Sequence, residues 1–493
     1  MRNKLLVSLA SLSLLLFASC AKEDAANLLR SSMFCDEWIL ASKGEQREME
    51  EDNYQVSREM VEGFIKNSYH KERESYSINA YPSEENVLLY VVNFEEGWKI
   101  LPGDSRFGLV LADSEKGHLD ASVQFDNPGL RLWLENYQDQ IEFAKGRIID
   151  GNRAMASAKM WNLFRAPSAK VSLKTGQQKK NRDLMWGKIN FQTNTVIDTV
   201  GYKAPLLQTK WGQKSPWYVS MPEIGGNKCA TGCAAVAVSQ ILFYFHNQQN
   251  MPTGLYDSVT LLNTYYDDSL NPTSCTISVN RSGFTYNSQQ WSNMPLDSVG
   301  YNPTGYKNVS DLMLDVGARL GLTYRVNNTT VATNSAGYYA TTPCKVGGVW
   351  APFAQPSLSY VTSSLDSNKP VIAGAMKNIS TGHTWVMDGY YMGEVTTINT
   401  YEWWPVNMIP PGTTIYEYKS TTELLAEHNN MIYQGMLDIT ESSYYYNQLH
   451  MNWGWNGRGD CFATIGSPYT NWQGYTNNVV VQFNLVTTEF TVD

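Results

Sequence analysis

Among seven cysteines, Cys233 stands where a helix is about to begin. In the run Cys229-Ala230-Thr231-Gly232-Cys233-Ala234-Ala235-Val236-Ala237-Val238-Ser239-Gln240-Ile241-Leu242, residues Val238, Ile241, Leu242 and then Phe245 fall at i, i+3, i+4 and i+7, the apolar stripe of a helix. Gly232 lets the chain turn into that helix and leaves Cys233 in its first turn. There the helix dipole favours a thiolate and lowers the thiol pKa. A thiolate so placed is a nucleophile for acyl transfer. The plainer alternative is a packed core thiol, since cysteine is among the most buried residue types. The two readings part on whether the chain also supplies a base, a group to orient it and an oxyanion donor.

Six histidines are candidates for the base. His246 shares the helix but lies 13 residues along, about 20 Å away at 1.5 Å per residue, and cannot reach the thiol. His383 opens the segment Gly382-His383-Thr384-Trp385-Val386-Met387-Asp388-Gly389-Tyr390, which follows Pro370-Val371-Ile372-Ala373-Gly374-Ala375. The pair reads as two strands joined by Asn378-Ile379-Ser380-Thr381, with His383 at the start of the second. Asp388 is five residues on; an odd separation in a strand points it to the opposite face, so it ranks as structural. The better orienter is Asn452 in His450-Met451-Asn452-Trp453-Gly454-Trp455. Its amide oxygen can accept the ring N–H, and Trp453 can shield that bond from water. His450 is the one competing base. The oxyanion donors would be the Cys233 backbone N–H and the side chain of Gln213, in the loop Trp211-Gly212-Gln213-Lys214-Ser215 ahead of the helix.

Four ordered segments, PLLQTKWGQ (205–213), ATGCAAVAVSQI (230–241), GHTWVMDGYY (382–391) and MNWGW (451–455), together resemble the streptopain family of papain-like cysteine peptidases. Val309-Ser310-Asp311-Leu312-Met313-Leu314-Asp315-Val316-Gly317 resembles the family's helix between Cys and His. The resemblance implies an α+β fold of two lobes, a helical lobe bearing Cys233 and an antiparallel β lobe bearing His383. It implies a cysteine endopeptidase acting on proteins or peptides, with no metal or organic cofactor. Cys233 would be the nucleophile, His383 the base and acid, Gln213 the oxyanion donor, and Asn452 with Trp453 the support of His383. About 60 residues separate Asp388 from Asn452, where a short hairpin would do. That insertion, around 395–445 with a helix at Thr421–His428, would overhang the cleft or reshape its leaving-group side. Arg458-Gly459-Asp460 matches an integrin-binding tripeptide, but a surface turn explains it more simply.

The elements ahead of this region form a different unit. Residues 1–150 hold 16 Lys/Arg and 26 Asp/Glu, whereas 201–493 hold 13 and 19. Val56, Met60, Val61 and Phe64 predict a helix within 55–75. Strands are predicted at Val87–Phe94, Trp98–Leu101 and Gly108–Ala112, with a turn at Glu95-Glu96-Gly97, and a helix over Leu130–Ala144. The stretch LYVVNFEEGWKILPGDSRFGLVLADSEKGHLD (89–120) resembles the inhibitory propeptide of streptopain-type proteases. The domains are therefore expected to be an inhibitory propeptide at 21–150, a basic processing linker at 151–199 and the peptidase at 200–493. The linker reading rests on nine basic residues, among them Lys170, Lys174, Lys179, Lys180 and Arg182, set among Ser, Gly, Gln and Asn.

Arg2 and Lys4 precede an apolar run, Leu5 to Phe17, too short to span a bilayer. With Phe17-Ala18-Ser19-Cys20 it resembles a bacterial lipoprotein signal over residues 1–20, with Cys20 as the acylated first residue. Lys22-Glu23-Asp24 resembles a surface-export tag. The expected location is the outer membrane or cell surface, held only by the lipid at Cys20, with the mature peptidase released. A net charge of -9 argues against nucleic-acid binding. The reading from another class is a catalytically silent surface lipoprotein that binds host protein or glycan through its 15 Trp and 30 Tyr.

Overall fold

The computed structural model describes residues 54–68, 75–120, 126–145, 152–164, 185–248, 287–320, 322–331, 358–378, 381–413, 415–429, 431–464 and 482–487, with short strands at 264–266, 275–277 and 349–350. Cys20 and the expected signal lie outside these residues.

In the N-terminal half, helix α1 (Arg58–Ser68) buries Met60, Val61, Phe64 and Ile65, the predicted stripe. Strands β1 (Ser77–Pro82), β2 (Val87–Asn93), β3 (Trp98–Pro102) and β4 (Ala112–Ser114) form an antiparallel meander. β2 is buried on both faces. Leu89 and Val91 point to helix α2 (Pro128–Ala144), while Tyr90 and Val92 point to α1 and helix α3 (Asn152–Asn162), as the two-residue period of a strand requires. The strand expected over Gly108–Ala112 begins only at Ala112. Upstream of it the backbone is engaged elsewhere: Ser157 Oγ accepts from Gly108 N at 2.9 Å and Gly108 O accepts the Trp161 indole N–H at 2.7 Å.

The expected linker at 151–199 needs correction at both ends. Ala154, Ala158, Met160 and Trp161 of α3 are buried, with Trp161 in the N-terminal core. Strand β5 (Met185–Lys203) is hydrogen-bonded along its length to the C-terminal half. Residues 165–184, with the basic cluster, lie outside the described residues.

In the C-terminal half, helix α4 (Cys233–Gln248) packs against helix α5 (Pro303–Arg319) in a core of Trp211, Trp217, Trp291, Leu312, Met313 and Tyr324. The β lobe consists of β6 (Val371–Asn378), β7 (Thr381–Pro405), β8 (Glu417–Ser420), β9 (Met436–Asn452), β10 (Cys461–Thr464) and β11 (Gln482–Thr487). The two halves share one antiparallel sheet, in the order β1-β2-β3-β4-β10-β9-β7-β6-β11 and then Val349–Trp350; β5 joins the far part of β7, and β8 joins β5. The seam is β4 against β10, with Asp113 opposite Phe462 and Ala112 opposite Ala463. Helix α2 lies across this sheet, so that Leu130, Trp133 and Leu134 share one apolar cluster with Trp385, Met451 and Trp453. A groove of 1450 Å³ remains between the halves, reached by Asp113, His450, Asp460 and Phe462.

The insertion turns out to be an arm. β7 runs 25 residues and β9 17, paired from Val386–Asn452 out to Trp403–Met436. Trp403, Leu424 and Met436 form a small core at its tip, near the helix Thr421–Glu427. Closer in, Val395, Tyr444 and Tyr446 join the N-terminal cluster of Phe64 and Trp161. What the arm carries is the N-terminal domain.

Candidate active site

Gly232 is held at φ +89°, a conformation in which an added side chain would be strained and would press on Leu322 and Thr329. It delivers Cys233 to the first turn of α4, where the thiol is half-buried. Burial pushes the thiol pKa up. A hydrogen bond from His383, the His383 charge, and hydrogen bonds with the main chain and hydroxyl of Thr384 outweigh it, so the thiol is held below its ordinary value. The structure thus brings together the two residues that the sequence selected. It adds Thr384, which the sequence reading missed.

His383 is 4% exposed and lies near the start of β7, opposite Ala375 of β6. Its Nε2 donates to the Trp453 main-chain carbonyl at 2.8 Å. This corrects the role expected of Asn452. The Asn452 side-chain oxygen accepts from Gln240 Nε2 at 3.1 Å and Gly454 N at 3.2 Å, and its Nδ2 donates to Thr209 O at 2.9 Å. Asn452 therefore braces the turn, and the neighbouring carbonyl faces the imidazole. Trp453 is fully buried and packs on Trp385 with ring centroids 5.1 Å apart; the Asn452–His383 bond it is expected to shield is not made. Its indole N–H donates to Gly459 O at 2.8 Å, and its backbone N–H donates to Asp460 at 3.0 Å.

Gln213 is half-buried. Its carbonyl accepts from Thr231 N at 3.0 Å, which fixes its loop two residues before the nucleophile. Asp388 is completely buried and does not serve His383. It accepts Leu207 N at 2.9 Å and His450 Nδ1 at 2.6 Å. The competing base, His450, is thereby committed to another partner. His246 stacks on Trp291 at 4.4 Å. Burial pushes the Cys461 thiol well above its ordinary value, which leaves it an unreactive core residue.

The N-terminal domain closes on this site. Asn127 caps α2 by accepting from Gly129 N and Leu130 N at 3.0 and 3.2 Å, and its Nδ2 donates to Arg458 O at 2.6 Å. At Gly129 an added methyl group would lie 2.6 Å from the His383 ring and closer still to Trp453, so only glycine fits that approach. Trp133 donates its indole N–H to Thr464 O at 2.9 Å, and the Tyr137 hydroxyl bonds Thr464 Oγ1 at 2.8 Å. Asp460 of the Arg-Gly-Asp turn faces inward to Trp453. Asn127-Pro128-Gly129 has the form of a helix start, but no sequence signal says what that start touches.

Residues 211–404 match the peptidase C10 family, and residues 52–141 match the Spi protease inhibitor family. The thiol protease/hemagglutinin PrtT of Porphyromonas gingivalis is 26% identical over 366 residues, which are 68% of this chain and 36% of that protein. The chain thus spans about a third of that relative's length. Among solved structures, a prointerpain A fragment of Prevotella intermedia superposes with a TM-score of 0.51 at 17% identity, covering 85% of this chain and all of that one. That likeness is one of fold.

Proposed function

From a chain that carries a peptidase C10 domain at residues 211–404 behind a Spi protease inhibitor domain at residues 52–141, we propose a cysteine endopeptidase made as a zymogen. The observation that carries the reading is the hydrogen-bonded Cys233–His383 pair at a helix start, with the N-terminal helix seated on the imidazole. The Cys233 thiolate attacks the scissile carbonyl carbon, forming a C–S bond as the carbonyl π electrons move to oxygen. The oxyanion is met by the Cys233 backbone N–H and the Gln213 side-chain amide. His383 gives its proton to the leaving amine as the C–N bond breaks. A water, deprotonated by His383, then attacks the thioester, and expulsion of the thiolate completes hydrolysis. The Trp453 carbonyl holds the ring through both halves of the cycle.

Protein and peptide chains are the substrates in this reading, and the N-terminal domain is the intramolecular inhibitor. Export through residues 1–20, with a lipid at Cys20 and release of the processed peptidase, belongs to the same proposal. It rests on the signal pattern in the sequence. The test is casein hydrolysis with reductant by the processed protein, together with labelling by E-64. Cys233→Ala should fold and lose both. Hydrolysis that survives in Cys233→Ala, or is lost only in Cys229→Ala, would overturn the assignment.

A further inference from the structure

Helix α4 is apolar along its buried length, from Ala234 through Leu242, except for Ser239 and the primary amide of Gln240, both 0% exposed. Without hydrogen-bond partners such burial is strongly unfavourable. Here the amide is matched on both atoms. Its Oε1 accepts from Thr209 Oγ1 at 3.0 Å and Trp211 N at 3.3 Å, and its Nε2 donates to Asn452 Oδ1 at 3.1 Å. Asn452 Nδ2 returns to Thr209 O at 2.9 Å and closes the ring.

Each arm of this ring ends on a segment of the catalytic machinery. Gln240 lies seven residues after Cys233, two turns along the same helix face. Trp211 is two residues before Gln213. Asn452 and Gly454, themselves bonded at 3.2 Å, bracket Trp453, whose carbonyl holds His383. We propose that Gln240 is a positioning residue that locks nucleophile helix, oxyanion loop and imidazole-holding turn into one register. It touches neither thiol nor imidazole. The inference rests on the peptidase reading. What it adds is a single buried amide as the joint between three separately encoded segments. A carboxamide suits this post because it donates on one side and accepts on the other.

The test expresses the full-length chain with Gln240→Met, close in volume but without donor or acceptor, or with Gln240→Glu, whose ionised form keeps the acceptor and lacks the donor to Asn452, and assays the enzyme after processing. Peptide hydrolysis and iodoacetamide alkylation of Cys233 are followed across pH, with thermal unfolding alongside. Misplacing catalytic groups by about an ångström lowers rates on the order of 100-fold, so kcat should fall roughly 10- to 100-fold in Gln240→Met with KM within about twofold. The alkaline limb of the profile should move to lower pH, because the imidazolium loses its fixed acceptor. Gln240→Met combined with Asn452→Ala should be no worse than the poorer single variant, the non-additivity expected of residues acting as one unit. Should Gln240→Met fail to fold, Gln240→Glu carries the same test, with a smaller fall and the same direction of shift. A lowered unfolding temperature with kcat and pH profile unchanged would make Gln240 a core residue only and overturn the proposal. An unmodified protein whose Cys233 titrates as an ordinary thiol would overturn the peptidase reading, and this inference with it.

Discussion

At the scale of single residues, the Cys233 thiol and Gly129 make the sharpest predictions. Because Cys233 is held below its ordinary value, the thiolate persists at pH values where a free thiol of pKa about 8.5 is protonated. Alkylation by iodoacetamide should therefore begin to the acid side of that value, and kcat/KM should rise with it. A single rise near 8.5 in both would rule out an activated thiol. Gly129→Ala places a methyl group against the His383 ring. Overpacking of this kind costs about 1–3 kcal/mol, and 1.4 kcal/mol is tenfold in affinity. The isolated N-terminal domain carrying Gly129→Ala should thus inhibit the processed enzyme roughly 5- to 150-fold less well than the unchanged domain, with enzyme activity itself unaltered. Equal inhibition constants would mean that the approach of Gly129 to His383 does not contribute to latency. Cys233, His383 and the importance of the Asn452-Trp453 turn were legible in residue type and order. The bond made within that turn was not: spacing selects which residues meet but says nothing about whether a side chain or a neighbouring carbonyl faces the ring.

At the scale of elements, helices with apolar stripes were legible, and β5 was not. Two of its inward residues are hydroxyls bonded to their neighbours, Thr195 Oγ1 to Thr397 Oγ1 at 3.2 Å and Thr193 Oγ1 donating to Asn399 Oδ1 at 2.7 Å, while Ile197 and Trp186 pack on apolar clusters at separate points along it. A strand whose inward face is part polar shows only a broken alternation of hydrophobicity, so Met185–Lys203 reads as exposed linker in the sequence. The consequence is specific. Since Met185–Lys203 is laddered to β7, the processed enzyme should begin before Met185 and retain β5. N-terminal sequencing of the activated protein checks this; a first residue between 186 and 199 would show that the strand is dispensable.

At the scale of the whole molecule, the seam between the halves carries an acid cluster around Asp388, which is fully buried. Burial pushes the Asp460 carboxyl up to about 6, against the lowering effect of the His450 charge and the Trp453 N–H, and Asp388 adds to the rise. Burial lowers the His450 pKa, but the charge and hydrogen bond of Asp388 outweigh it and hold His450 above its ordinary value, with Asp460 and Asp113 adding to this. Asp113 comes from the N-terminal domain, on β4. A carboxyl raised in the folded state lends stability that is complete below its unfolded pKa, near 4, and is lost as pH rises through about 6. The raised His450 works in the same direction, its contribution fading above its folded pKa. The unprocessed protein should therefore lose thermal stability on going from pH 4 to pH 7, by on the order of 2–3 kcal/mol from Asp460. Asp460→Asn keeps an acceptor for Trp453 N and should flatten that slope, matching or exceeding the parent at pH 7. An undiminished slope in the variant would remove Asp460 from the account.

The junction of β4 with β10 has one more consequence, for the enzyme after activation. While the N-terminal domain is attached, the outer flank of Cys461–Thr464 is covered: Ala112 and Asp113 lie alongside, Leu111 O receives Thr464 N at 2.8 Å, and Trp133 donates to Thr464 O. Departure of that domain strips all of these at once and leaves a raw strand border with hydrogen-bonding groups turned to solvent, the kind of surface on which protein chains stick to one another. In the proposed zymogen, maturation would thus exchange latency for a colloidal liability, confined to four residues and set just beyond the turn that carries Trp453.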